Sequence, residues 1–284
     1  MSIHSYENTS RTAQAGPLSL HYHEAGPADG PALVMLHGGG PGASGWGNFA
    51  DNLPHFAGRF RTLIVDQPGY GRSELPEPDC DYFSYSARAV IALLDELDIP
   101  RAHFLGTSLG GGVAARIALD HPARATKLLL SAPAGLSLNL FSPAPTEGLR
   151  RLIEFGESTA PTREQMRAFL TTLVHDPSRV TDALVEERYA PAVEERARLG
   201  AARMAASFAR WPEGSLLWRE AHRIGCPVLL TWGREDRVAP VDGAFVALKT
   251  LPDARLHVFP RCGHLVQDEA AEDFRRLATD FFLG

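Results

Sequence analysis

Short apolar runs bounded by turn residues alternate, along the first half of the chain, with stretches in which apolar residues recur every three or four positions. The runs Leu18 to Glu24, Ala32 to Leu36, Thr62 to Asp66, Ala102 to Leu105 and Lys127 to Ser131 have the length and composition of strands. Strands alternating with helices from about residue 18 to 135 predict a largely parallel sheet with helices on both faces. The pattern then breaks. Between about Ser142 and Trp211 no strand signal appears, and three or four amphipathic helices are expected over Thr146 to Ser158, Thr162 to Val174, Ala183 to Glu195 and Arg196 to Phe208. Pro143, Pro145, Pro161, Pro177 and Pro191 punctuate their boundaries, where a helix cannot easily continue. Strand character resumes at Pro227 to Trp232 and again at Arg255 to Phe259. The expected organisation is an α/β core over 1–138 and 214–284, with a helical insertion over 139–213 that reads as a lid.

Within this frame Gly106-Thr107-Ser108-Leu109-Gly110 falls between a strand-like run and the helix-like run Leu109 to Leu119. Small residues flanking Ser108 let strand and helix approach at a sharp turn, which exposes the hydroxyl as a candidate nucleophile. A serine nucleophile needs a base and an acid to orient it, and in this strand–turn–helix setting the chain order is serine, acid, histidine. Asp236 lies just past the run ending at Trp232, and His264 lies past the run ending at Phe259. In an open parallel sheet the loops beyond the carboxyl ends of the strands converge on one crevice, so Ser108, Asp236 and His264 are expected to meet there. Glu235 is the rival for the acid role, and Asp236 is preferred.

Directly after Ala32 to Leu36 comes His37-Gly-Gly-Gly-Pro-Gly-Ala43. A glycine run lets backbone amides approach a substrate oxygen, so this loop is the expected second source of oxyanion donors beside the amide of Leu109. Phosphate binding is disfavoured, because no Gly-Lys-Ser/Thr follows and the acidic ribose partner expected about 20 residues on is lacking. His37 is expected to fix the loop by hydrogen bonding. His21 and His23 alternate on one strand, and a partly exposed face is expected there rather than a metal site, since no third ligand is nearby.

Composition narrows the chemistry further. With 28 basic and 34 acidic residues the formal net charge is -6, which offers no basic surface for nucleic acid. The three cysteines, Cys80, Cys226 and Cys262, are widely spaced and indicate neither a disulfide framework nor a zinc site. The N-terminus has no basic stretch followed by an apolar one, and no apolar run approaches the roughly 18 residues a spanning helix needs. A cytoplasmic protein with no membrane partner is therefore expected.

His37-Gly-Gly-Gly-Pro-Gly-Ala-Ser-Gly-Trp-Gly-Asn48-Phe49 resembles the oxyanion loop of the meta-cleavage product hydrolases, α/β-hydrolases that cut carbon–carbon bonds in aromatic degradation. Further similar segments are Asp66-Gln-Pro-Gly-Tyr-Gly-Arg-Ser73, Val180 to Tyr189, and Asp253 to His264, so the resemblance spans nearly the whole chain. It implies an α/β-hydrolase fold with a helical lid, a Ser108, Asp236 and His264 triad, and an oxyanion hole from the amides of Gly39 and Leu109. It also implies substrate contacts by Gly38 and Asn48, and an Arg188 that faces the active site and holds a dienoate carboxylate. Three positions depart from the family pattern. Thr107 stands where asparagine is usual, Leu173 where the lid has phenylalanine, and Leu265 where tryptophan follows the histidine. The implied small-molecule substrate is a 2-hydroxy-6-oxo-hexa-2,4-dienoate type ring-cleavage product, hydrolysed without metal or organic cofactor, and a homo-oligomer, dimer or larger, is expected. A carboxylesterase or lactonase using the same triad is the alternative, and a receptor-like binding protein is disfavoured because the catalytic set is complete.

Overall fold

In the computed structural model, which describes residues 4–284, eight strands form one sheet in the order β1-β2-β4-β3-β5-β6-β7-β8. The strands are β1 (Ser10–Ala15), β2 (Leu18–Ala25), β3 (Ala32–Leu36), β4 (Arg61–Val65), β5 (Ala102–Thr107), β6 (Ala125–Ser131), β7 (Val228–Gly233) and β8 (Ala254–Phe259). From β4 to β8 every neighbouring pair is parallel, while β2 pairs antiparallel with both β1 and β4. Seven of these match the runs read from the sequence, shifted by a residue or two at their ends. The exception is β1, whose residues are mostly exposed or half-buried and carry no hydrophobic alternation to betray an edge strand.

Burial on both faces explains why the central strands read as continuous apolar runs. Val34, Leu36, Phe104, Leu128, Leu130 and Leu230 face one layer with the helices Tyr82–Glu96 and Leu109–Asp120. Their alternating neighbours Leu33, Met35, Leu105, Leu129 and Leu229 pack on the other side against Phe49, Phe56, Phe274 and Phe282. Fully burying such a side chain contributes about 1.5–3 kcal/mol, so the sheet that carries the site is held rigidly from both faces.

Between β6 and β7 come the helices Glu147–Glu157, Arg163–Leu173, Asp182–Ala192 and Glu195–Arg210. Thr146, Thr162 and Thr181 cap the first three by accepting from the amides of Leu149, Gln165 and Leu184. They pack around their own core of Phe155, Met166, Phe169, Leu170, Leu173, Val180 and Val185. No helix among the described residues is long and apolar enough to cross a membrane.

His21 and His23 correct an expectation. Both are buried, because β1 and the preceding turn of helix cover β2: His21 hydrogen-bonds Ser10 and Asp66, and His23 hydrogen-bonds Thr9. Among the described residues no group of His, Cys, Asp and Glu is arranged to hold a metal ion.

Candidate active site

Ser108 sits between β5 and the helix Leu109–Asp120 with φ 51° and ψ -112°. A left-handed conformation at a non-glycine residue costs on the order of 1–3 kcal/mol and persists only where the surroundings enforce it. Here the enforcement is close packing. A side chain at Gly106 would collide with the backbone of Gly110, and one at Gly110 would collide with the Leu36 carbonyl. Ser108 is further pinned through its amide, which donates to the Ser131 carbonyl at 2.8 Å, and its carbonyl, which accepts from Gly112 and Ala134. Its hydroxyl makes no hydrogen bond to any described residue.

The acid and the histidine come together. His264 Nδ1 and Asp236 Oδ2 lie 2.7 Å apart, with both side chains buried. Asp236 Oδ1 accepts from the amides of Val238 and Ala239 at 2.8 and 2.9 Å, which fixes the plane of the carboxylate. The backbone of His264 is held by its amide, which donates to the Leu173 carbonyl at 2.8 Å. Glu235 points elsewhere, accepting from Arg234 and from the Cys262 amide. A cleft of about 810 Å³ is lined by Thr146, Thr171, His175 and Asp236, and not by Ser108 or His264.

Opposite Ser108, the amides of Gly39 and Leu109 donate to no described acceptor. Gly38 is different: its amide donates to Asn48 Oδ1 at 3.2 Å, so Asn48 holds the loop, and a Cβ at Gly38 would lie 3.5 Å from that of Ser108. The loop is clamped at both ends by consecutive residues after β4. Gln67 Nε2 donates to the His37 carbonyl at 2.6 Å and the Gln67 amide donates to His37 Nε2, while Asp66 Oδ1 accepts from the Gly45 amide at 2.7 Å. His37 is the loop-fixing partner expected. Burial lowers its pKa, and as the neutral Nδ1–H tautomer it accepts from Gln67 and donates to the Gly38 carbonyl. Although burial works against its charge, hydrogen bonds from His21, Arg72 and Gly45 hold the Asp66 carboxyl below the usual carboxylate range.

Arg188 lies against this loop and not on a solvated face. Its Nε and Nη2 donate to the Pro41 carbonyl at 3.2 and 2.9 Å, and Phe169 and Arg188 Nη2 both approach Gly40. Burial lowers its pKa, and no carboxylate among the described residues lies within ion-pair distance. Leu173 is buried in the core of the helical segment, and Leu265 packs against the same cluster. Thr107 is fully buried in β5, its hydroxyl without a partner, as are those of Ser131 and Thr231 at matching register on the next two strands. Trp46 packs edge-on to Tyr6 and tilted over His23, and Phe49 is in the core, so both anchor the loop. His257 is exposed against the Phe259 ring.

Sequence reasoning missed Asp66 and Gln67 as parts of this site. Their segment stood out only as a resemblance, since its role depends on β4 lying beside β3.

A strained serine at a strand–helix turn, a carboxylate–imidazole pair and two free amides are the parts of a nucleophilic hydrolase site, and the chain matches the alpha/beta hydrolase family over residues 33–277: it belongs to that family. Its relatives narrow the class to the meta-cleavage product hydrolases. A 2-hydroxy-6-oxo-6-phenylhexa-2,4-dienoate hydrolase of Burkholderia cepacia is 38% identical over 92% of this chain and 90% of its own. A 2-hydroxy-6-oxononadienedioate/2-hydroxy-6-oxononatrienedioate hydrolase of Comamonas testosteroni is 39% identical over 92% of this chain and 90% of its own. Among solved structures, the 2-hydroxy-6-oxo-6-phenylhexa-2,4-dienoate hydrolase of a Rhodococcus strain superposes with a TM-score of 0.88, at 28% identity over 97% of this chain and 98% of that one.

Proposed function

We propose that this protein hydrolyses the carbon–carbon bond beside the ketone of a 2-hydroxy-6-oxo-hexa-2,4-dienoate type ring-cleavage product, releasing a 2-hydroxypentadienoate and a carboxylic acid. The observation that carries this reading is Arg188, a buried guanidinium lying against the glycine loop with no carboxylate of the described residues within ion-pair distance. Such a group suits a bidentate hold on a planar carboxylate, which a plain ester lacks.

In this reading the dienoate first becomes its keto tautomer, with His264 moving the proton. Ser108 then attacks the ketone, the amides of Gly39 and Leu109 take the oxyanion, and the dienol(ate) leaves. Water finishes the acyl-enzyme, and Asp236 holds His264 in the tautomer that presents Nε2 to the serine. The segment 139–213 acts as the lid over the core formed by 1–138 and 214–284, in a cytoplasmic homo-oligomer. Gly38, Asn48, Leu173 and Leu265 complete the substrate pocket, and Thr107, fully buried in β5, shapes it only through the backbone that carries Ser108.

Leu173 and Leu265, meeting in one apolar cluster, favour a more aliphatic and roomier pocket than phenylalanine and tryptophan would make. They are also what keeps an esterase or lactonase as the second reading. The test is a panel of 6-substituted dienoates beside aryl esters, with wild type and Ser108→Ala. Dienoate turnover that falls about 10³-fold or more in the variant is expected. Turnover of esters alone would transfer the assignment to the second reading.

A further inference from the structure

Tyr70 occupies the turn of Asp66 to Ser73, where its amide donates to the Gln67 carbonyl and its carbonyl accepts from Ser73. Its ring stands edge-on to His37 at 5.1 Å and to Tyr82 at 6.4 Å, so the phenol has one orientation. That orientation puts Oη beside both residues whose amides are free: it is 3.1 Å from where a Cβ at Gly39 would stand, and the Leu109 side chain approaches the same point at 2.8 Å. The sole hydrogen bond Oη makes among the described residues is to Met204 Sδ at 3.2 Å, on the helix Glu195–Arg210. A thioether sulfur is a weak acceptor, so the donor capacity of the hydroxyl is barely used. Arg188 is near enough to interact electrostatically with it.

We propose that Tyr70 is a substrate-contacting residue whose hydroxyl leaves the Met204 sulfur and donates a hydrogen bond to the substrate oxygen lying between the Arg188-held carboxylate and the ketone attacked by Ser108. On the dienoate that oxygen is the one at C2, a hydroxyl in the enol and a carbonyl in the keto form. The inference rests on the carbon–carbon hydrolase reading. Burial raises the Tyr70 phenol well above its ordinary range, so it remains a neutral donor at every working pH. A donor there strengthens its bond as negative charge develops on the C2 oxygen during tautomerisation, and so accelerates that step more than it tightens binding. The Met204 contact is only a resting partner, which the substrate replaces, while the ring packing on His37 and Tyr82 fixes the phenol.

Tyr70→Phe removes the hydroxyl alone. On the best dienoate kcat is expected to fall about 10-fold or more, the range of a hydrogen bond to a partly charged oxygen, with KM changed far less. In a Ser108→Ala background, where substrate binds without cleavage, adding Tyr70→Phe is expected to shift the long-wavelength absorption band of the bound dienoate. Met204→Leu separates substrate contact from tethering of the helix, and is expected to stay within about twofold of wild type. Wild-type kcat in Tyr70→Phe with an unshifted band would overturn the proposal, as would an equal loss in Met204→Leu. A wild type that cleaves aryl esters and no dienoate would instead sink the hydrolase reading, and this contact with it.

Discussion

Burying an arginine without an anion costs several kcal/mol, and a lone backbone carbonyl offsets only part of that. Arg188 is in this position, with Pro41 as its hydrogen-bond acceptor. The nearest charges that bear on it include Glu187 and Asp268. Asp268 compensates little below neutrality, because burial, and then the charge of Asp51, push its carboxyl up to about 7. On the proposed reading, a carboxylate placed against Arg188 would therefore meet a cation that is poorly satisfied. Arg188→Gln is expected to raise KM for dienoates by roughly 10-fold to 150-fold, the value of a charge-assisted hydrogen bond, and to leave neutral aryl esters nearly unchanged. Equal losses on both substrates, measured as kcat/KM, would reduce Arg188 to a structural strut of the loop. From sequence alone Glu186-Glu187-Arg188 resembles a solvated helix face, and the distinction is purely tertiary: Glu186 pairs outward with Arg163 while Arg188 turns inward. The choice between Glu235 and Asp236 was legible only as a preference. Adjacent carboxylates on one loop differ by which backbone amides reach them, and that is set by the turn Asp236 to Ala239.

At the level of elements, the glycine loop is a flexible sequence made stiff by its neighbours. Asn48 holds Gly38, Gln67 holds His37, Asp66 holds Gly45, and the Gly110 amide donates to the His37 carbonyl, tying the loop to the helix after Ser108. The strands were readable because a parallel sheet buried on both faces leaves unbroken apolar runs, and prolines punctuated the helical stretch that follows β6. The clamp was not readable, because a hydrogen bond between positions 37 and 67 leaves no local pattern. Edge strand β1 was unreadable for the opposite reason: its partner β2 supplies the backbone pairing, and its own side chains need no particular chemistry. If the clamp sets where the Gly39 amide points, Gln67→Leu should lower kcat by about 10-fold, a fraction of the 10²–10³ expected for outright loss of an oxyanion donor. KM for the dienoate should hold, since Arg188 is untouched, and folding should survive because His37 keeps the Gly110 amide as donor to its carbonyl. A variant with raised KM and wild-type kcat, in steady-state assays, would contradict the clamp's role.

Across the whole molecule, the helices after β6 are bound to the sheet by backbone-directed arginines, with Arg237 donating to Thr171 and Val174, Arg196 to Gly71 and Ser73, and Arg203 to Leu75 and Pro76. These bonds do not titrate in the working range, and two imidazoles buried in the sheet, His23 on β2 and His103 on β5, lose their ordinary titration on folding. Burial brings His23 and His103 down from 6.5 to about 4. His103 lies between the rings of Phe60 and Phe282, with Nδ1 unpartnered, and His23 lies between Tyr6 and Trp46. The sign follows from proton uptake. Between about 6.5 and about 4 the unfolded chain binds these protons and the folded chain does not, so their contribution to stability falls as pH falls through that window and levels off below it. Asp268 acts oppositely, since the folded chain keeps its proton up to about 7 while the unfolded chain has lost it, so its own contribution falls as pH rises toward 7. Comparing single variants separates the two. His103→Phe removes one buried titration and one orphaned nitrogen while preserving the aromatic packing with Phe60 and Phe282. Its melting temperature relative to wild type should therefore be higher at pH 5 than at pH 7.5, by several degrees at roughly 2–4 °C per kcal/mol for a chain of this size. Thermal unfolding of the pair across pH 4.5 to 8 is the measurement, and a difference in melting temperature that stays constant with pH would mean that His103 titrates alike in the folded and unfolded chains.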